Sequence, residues 1–210
     1  MKFEIKISKN PIDYLKSQEF LEKRVVEILE GKSQNLLWIL EHPNLYTGGT
    51  SSNIDDLLNK NKFPTYKTSR GGQWTFHGEG QKVIYFCIKL NEKNIRKFVR
   101  KIEDWIIEIL KNYNINSFND EKNIGIWVKN KNREIEKIAA IGIRVRKWIA
   151  FHGFSLNVNV NKSNYNGIIP CGIKDKGIAN MTDFIDSKSV GNIDDMIIKS
   201  YKKIFEQNLP

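Results

Sequence analysis

The apolar residues of this chain come in short blocks with two different periodicities, and that pattern constrains the fold more than any other feature. Lys2–Ser8 alternates Lys with apolar residues and reads as a strand. Leu36–Leu40, Val83–Leu90, Ile124–Val128, Ile135–Val145 and Trp148–Val160 also read as strands, several of them rich in β-branched and aromatic residues. Tyr14, Leu15, Leu21, Val25, Ile28 and Leu29 recur at helical spacing. So do Ile95, Phe98, Val99, Ile102, Ile106, Ile109 and Leu110, and Ile193–Phe205 makes a third helix. Clustered strands with three helices predict an α+β chain, its mixed or mostly antiparallel sheet flanked by helices.

The punctuation fits that order. Asn10-Pro11 reads as a helix cap followed by Pro at the first helical position, and Gly31 ends the helix. Asn94 and Asn192 cap the other two helices, and Asn130–Arg133 is a polar hairpin turn. His42–Asn53 and Tyr165–Ile178 are expected to be loops, and Arg70–Gly80 is glycine-rich.

With 210 residues, 40% of them hydrophobic, the chain is expected to be a single domain over 1–210. Folding buries roughly 70% of the surface of a chain this size, so one core suffices. The longest apolar runs, such as Val83–Ile88, fall far short of the ~18 residues of a membrane helix. Met1–Asn10 has no central apolar block and does not read as a secretory signal. Two cysteines, Cys87 and Cys171, exclude a disulfide framework and a four-cysteine zinc site. A cytoplasmic protein with no membrane partner is the expectation.

The net charge of +10 attracts acidic partners. Lys, Asn and Ile are all abundant and share AT-rich codons, so part of the charge reads as codon bias. Trp148 beside Arg144, Arg146 and Lys147 admits a base-stacking reading. Arg144 and Arg146 share one strand face, however, which is the pattern of a solvated basic edge. No nucleic-acid partner is expected.

Three features carry chemistry. All three histidines precede Pro or Gly, at His42-Pro43, His77-Gly78 and His152-Gly153. Arg70–Gln81 packs four glycines, an Arg and a His into twelve residues. Such a segment can cradle a phosphate or wrap a narrow chain, or be a β-turn with a bulge. It has neither the Gly-Lys-Ser/Thr of a phosphate loop nor the dinucleotide spacing. Pro170-Cys171-Gly172 sets a cysteine in a turn, whereas Cys87 lies inside a strand and reads as a small buried hydrophobe. A thiol near pKa 8.5 needs a cation or base to act as a nucleophile at neutral pH.

Arg70–Gln81 with Val83 and Tyr85 closely resembles the signature of the lipoyl(octanoyl) transferases. So do His42–Gly48, Lys137–Gly142, His152–Val158 and Pro170–Ile173, five blocks in order. The resemblance implies the catalytic-domain fold of the biotin and lipoate protein ligases. It implies transfer of an octanoyl group from octanoyl-acyl carrier protein to a lysine of lipoyl domains, in 2-oxoacid dehydrogenase complexes and the glycine cleavage H protein. By the same resemblance Cys171 is the nucleophile and Lys137 its partner. The segments implied to bind substrate are Arg70, Gly71, Gly72, Gln73, Trp74, Thr75, Phe76 and His77, then Ala140, Ile141 and Gly142, then Gly153, Phe154 and Ser155. No cofactor and no metal ligand set is implied.

Two departures from the pattern are visible: Glu79 stands where the family usually has Pro, and Ser155 where Ala is common. Gly71, Gly72, Gly142 and Gly153 would keep an acyl slot open, with Trp74, Phe76 and Phe154 as its walls or as ordinary core. His77 would position the donor carbonyl or hydrogen-bond the loop. The rival reading is an ATP-dependent lipoate–protein ligase, which would not need a Pro-Cys-Gly nucleophile.

Overall fold

The computed structural model describes residues 3–170 and 176–206. The elements run β1 (Phe3–Ile7), α1 (Tyr14–Leu29), β2 (Asn35–Leu40), β3 (Leu45–Gly48), β4 (Thr65–Lys67), β5 (Trp74–His77), β6 (Gln81–Lys89) and α2 (Ile95–Lys111). They continue with β7 (Ser117–Asn119), β8 (Ile126–Lys129), β9 (Ile135–Arg146), β10 (Ile149–Asn157), β11 (Gly177–Ile178) and α3 (Ile193–Phe205). The described chain is thus α+β, with mixed strand pairing and helices beside the strands.

Two compact units are distinguished. Of the described residues, the first comprises 3–91, 141–156 and 160–170, the second 92–140, 157–159 and 176–206. In the first, β1 pairs parallel with β2, β2 antiparallel with β6, and β10 follows β6. A separate small sheet has the order β4-β3-β5. Every residue of β2 is buried, which explains its apolar run Leu36–Leu40. Leu36, Trp38 and Leu40 of β2, with Val83, Tyr85 and Cys87 of β6, meet Leu21, Val25 and Ile28 of α1. Burying each such aliphatic side chain contributes about 1.5–3 kcal/mol.

Helix α1 starts later than the sequence suggests. Asp13 is the cap, its carboxylate accepting from the Lys16 N–H at 3.0 Å, and Asn10-Pro11 lie outside the helix. Leu15 and Leu29, expected on the apolar face, are exposed. Gly31 ends the helix as expected, at φ 71°. The expected loop His42–Asn53 contains β3, and the glycine-rich segment contains β5. Four residues of each pair antiparallel, Leu45 opposite His77 through Gly48 opposite Trp74. The turn between β9 and β10 is Lys147-Trp148, both at positive φ (47° and 64°), which sets Trp148 in the turn and not in the strand.

In the second unit, β8 pairs antiparallel with β7 and with the first half of β9, and β11 pairs parallel with β9. Asn94 caps α2 by accepting from the Lys97 N–H at 3.0 Å. Asn192 precedes α3 as expected. The α2–α3 contact centres on Trp105, whose indole N–H donates to the Ile197 carbonyl at 3.0 Å and whose ring meets Tyr201 edge-on. Among the described residues, no helix is long and apolar enough to cross a membrane.

Candidate active site

In the first unit the glycine-rich segment is organised around Arg70. One guanidinium nitrogen donates to the Thr47 carbonyl, the Thr47 hydroxyl and the Gln73 carbonyl, at 2.9, 2.8 and 3.0 Å. The other terminal nitrogen donates to the Gly71 carbonyl at 2.9 Å. Arg70 therefore ties its own loop to β3. The Gly71 N–H donates to the Ile143 carbonyl at 3.0 Å, which docks the loop on the second half of β9. That docking needs Gly142: a Cβ there would lie 2.9 Å from Arg70 Cδ and 3.2 Å from the Gly71 oxygen.

Gly153 answers to a different constraint. A Cβ on it would sit 1.8 Å from the Ile84 carbonyl oxygen, inside the β6–β10 contact. Gly142 and Gly153 therefore permit close backbone packing, and not the open slot expected of them. Trp74, Phe76 and Phe154 are all buried. Phe76 meets Tyr46, Phe63 and Tyr165 at centroid distances of 6.2, 5.7 and 5.3 Å, so it belongs to the aromatic core of this unit. Thr75 and Ser155 are buried polar residues, and Gln73 is half-buried.

All three histidines are buried. The His42 Nδ1–H donates to the Ile12 carbonyl at 2.6 Å, because that oxygen only accepts. The Tyr85 hydroxyl then donates to His42 Nε2 at 2.9 Å. Burial pushes the His42 imidazole down to about 4 and the Tyr85 phenol up. His77 lies edge-on to His42, ring centres 5.9 Å apart, with Nδ1 2.7 Å from Gln81 Oε1. Burial, helped by His42 and the Arg70 charge, pushes His77 down to about 3. His152 sits at φ 68° in β10, beside the crowded Gly153, with its ring stacked on Phe151. Its Nε2 is buried without a hydrogen-bond partner, and burial with the Arg70 and Arg144 charges pushes it down to about 3. The Cys87 thiol is fully buried and pushed up to about 12 by that burial, so it is a core residue.

Lys137 and Ala140 lie in the second unit. Lys137 is 5% exposed, so it does not reach out to solvent from a strand edge. Its Nζ donates to the Ile124 carbonyl at 3.2 Å and lies 4.5 Å from the centre of the Trp127 ring. Gly125 makes room for it, since a Cβ there would meet Lys137 Nζ at 3.3 Å and the Ala139 oxygen at 2.8 Å. Lys176 lies 4.4 Å from the same Trp127 ring and pairs with Asp120 at 3.4 Å. Cys171 lies outside the described residues.

The sequence profile of the lipoyl protein ligase A/B catalytic domain matches residues 13–202. The chain belongs to that family. As a member of the lipoyl protein ligase A/B family it has close relatives. It is 45% identical to an octanoyltransferase of Wolbachia pipientis, over 95% of this chain and 98% of that one. It is 42% identical to an octanoyltransferase of Ehrlichia chaffeensis, over 96% and 95% of the two chains. A crystal structure of lipoate-protein ligase A bound with ATP shares the fold, with a TM-score of 0.76 at 15% identity, over 98% of this chain and 86% of that one.

Within the family fold, Arg70 through His77, Ile141, Gly142 and Gly153 through Ser155 all fall in the first unit. Arg70, Gly71 and Gly142 meet directly. The sequence reading gave no role to Thr47, which anchors Arg70, to Gln81, or to the His42–Tyr85 pair. Gln81 stands inside the glycine-rich block, four residues after His77, and that spacing was the available signal.

Proposed function

We propose that this chain is an octanoyltransferase of protein lipoylation, a single catalytic domain over 1–210. It moves an octanoyl group from octanoyl-acyl carrier protein to a lysine of a lipoyl domain. The near full-length likeness to proteins named octanoyltransferase carries this reading. The segments that match the family's substrate-binding positions are Arg70–His77, Ala140–Gly142 and Gly153–Ser155.

In this reading the Cys171 thiolate attacks the thioester carbonyl of the donor. The carbon–sulfur bond to the carrier's thiol arm breaks, and a carbon–sulfur bond to Cys171 forms. One thioester replaces another, so neither ATP nor a cofactor is required. The acceptor lysine then attacks the acyl-enzyme as a neutral amine. An amide forms, the Cys171 thiolate leaves, and the amine's proton must go to a base. A lysine side chain is mostly protonated at neutral pH, so that base is essential.

Lys137 is assigned both duties: as ammonium it stabilises the Cys171 thiolate and gives its proton to the carrier's departing thiolate, and as the amine so formed it takes the proton of the attacking lysine. Its burial against Trp127 and the Ile124 carbonyl supports a specialised role, because lysines are rarely buried without one. The net charge of +10 suits acidic carrier and lipoyl domains, and the reaction belongs in the cytoplasm.

The test is the intact mass of the protein after mixing with octanoyl-acyl carrier protein without ATP, beside Cys171→Ser and Lys137→Met. The expected result is a gain of one octanoyl group, absent in both variants and discharged by a lipoyl domain. Transfer only on adding ATP and free octanoate or lipoate would make the chain a ligase, as the fold it shares with an ATP-bound ligase allows.

A further inference from the structure

His77 ends β5 within the glycine-rich block, and its environment determines which ring nitrogen carries the proton. The side-chain amide nitrogen of Gln81 lies 3.2 Å from the Phe76 carbonyl oxygen and 3.1 Å from the Tyr165 hydroxyl. A carbonyl oxygen only accepts, so the NH2 end of Gln81 must face Phe76. The reverse orientation would set two acceptors 3.2 Å apart. With the amide so fixed, Gln81 Oε1 faces His77 Nδ1 at 2.7 Å. Two lone pairs cannot share that contact, so Nδ1 carries the hydrogen. His77 is neutral at physiological pH because burial opposes its charging. A neutral imidazole has one N–H, which leaves Nε2 with a bare lone pair. No described residue hydrogen-bonds that nitrogen.

We propose that Gln81 is a positioning residue that fixes His77 in its Nδ1–H form, so that His77 Nε2 accepts an N–H group of the substrate. The inference rests on the octanoyltransferase reading for its substrate, but not for the ring form. It removes one role considered for His77, because a bare lone pair cannot hold the acyl carbonyl oxygen. It also makes His77 a poor base: a group this reluctant to take a proton is badly matched to catalysis near neutral pH. What remains is a static acceptor. The proposed substrates carry N–H groups in two places near the reacting carbon. One is the amide of the donor's thiol arm, and the other is the amine of the incoming lysine.

The ring form is read directly by long-range nitrogen–proton NMR of 15N-histidine-labelled protein at pH 7. Only three histidines need assignment, which single substitutions provide. The expected spectrum has His77 protonated at Nδ1 and bare at Nε2. Gln81→Glu keeps an acceptor facing Nδ1 and preserves that form, whereas Gln81→Met releases it to a mixture. An Nε2–H form in the unsubstituted protein overturns the proposal.

The substrate arm uses the two half-reactions separately. Acylation is followed with S-octanoyl-N-acetylcysteamine and with its N-methylated amide, and deacylation with a lipoyl domain. His77→Phe is expected to slow one half-reaction about tenfold, the loss of one hydrogen bond. If it slows acylation, and N-methylation slows only the unsubstituted protein, the partner is the donor amide. If it slows only deacylation, the partner is the lysine amine. If neither responds while His77→Phe remains folded, the substrate role is overturned and the transferase reading stands. If the unsubstituted protein forms no acyl-enzyme, the transferase reading fails and the substrate role with it, while the spectrum still judges the Gln81–His77 relation.

Discussion

A single guanidinium nitrogen of Arg70 donates to both side-chain and main-chain oxygens of Thr47, at 2.8 and 2.9 Å. The same nitrogen reaches Gln73, so one planar group holds β3 and both ends of the loop's first turn. Lys has no planar fork and cannot reproduce this set. Arg70→Lys is expected to cost about 2 kcal/mol of stability, because several carbonyls lose their donor together. Thr47→Val removes one acceptor and is expected to cost about 1 kcal/mol. Urea unfolding of both variants checks the order. Equal stability of Arg70→Lys and the unsubstituted protein would show that the brace is replaceable.

Gly142 and Gly153 predict opposite kinds of failure. The Cβ of Gly153→Ala would strike the Ile84 carbonyl oxygen at 1.8 Å, against backbone that the sheet holds in place. A loss above about 4 kcal/mol is expected, with little folded protein recovered. The Cβ of Gly142→Ala meets the flexible Arg70 side chain at 2.9 Å and the loop oxygen of Gly71 at 3.2 Å. About 1–2 kcal/mol is expected there, with a proportionately larger loss of acyl transfer as the loop shifts. Soluble yield and melting temperature separate the two, and a stable Gly153→Ala would refute the close-approach account.

The buried histidines predict acid sensitivity. His42, His77 and His152 are held neutral, near 4, 3 and 3, against 6.5 for a free imidazole. The unfolded chain therefore binds more protons below pH 6.5, and stability falls as pH drops from there toward the folded values. At pH 5 each group is expected to cost about 2 kcal/mol, together about 6 kcal/mol, comparable with the whole stability of a typical domain. Urea titrations at pH 7 and pH 5 measure the difference. Replacing His152 by Phe should shrink it by about 2 kcal/mol, and an unchanged difference would mean that His152 titrates normally in the fold.

The β9–β10 turn is expected to tolerate improvement. Lys147 and Trp148 both occupy the left-handed region, which costs ordinary residues roughly 1–2 kcal/mol each. Asn-Gly is the pair that such a two-residue turn favours. Lys147→Asn with Trp148→Gly is expected to raise stability by about 1–2 kcal/mol, read as a higher urea midpoint. A fall would mean that side-chain contacts of Trp148 outweigh the backbone strain.

What could be read from the sequence depended on how local the cause was. The α2 cap at Asn94, the run of β2 and the end of α1 at Gly31 follow from neighbouring residues, and the structure has them. The start of α1 at Asp13 was hidden by the Asn10-Pro11 pair, which mimics a cap. Strands β3 and β5 were hidden by their composition: Leu45–Gly48 and Trp74–His77 are four-residue segments amid glycines, and their strand character comes from pairing with each other and, for β3, with β4. At the site, the resemblance indicated which segments matter, but not what their residues touch. Arg70 reads as a substrate-binding position, and the sequence gives no sign that its guanidinium is bonded to Thr47 and Gln73. The spacing from His77 marks Gln81, but not the orientation of its amide, which is set in part by Tyr165, 84 positions away.

Cys87 provides a built-in clock. Its thiol is fully buried, and burial pushes it up to about 12, so an alkylating reagent at neutral pH meets almost no reactive thiolate in the folded state. The side chain lies in the layer where α1 covers β2 and β6, and a reagent can reach it only when that layer opens. Where the reagent is concentrated enough that alkylation outpaces reclosing, its rate of modification is a rate of opening, readable by mass. Because the chain has only one other cysteine, a Cys171→Ser protein reports on this event alone.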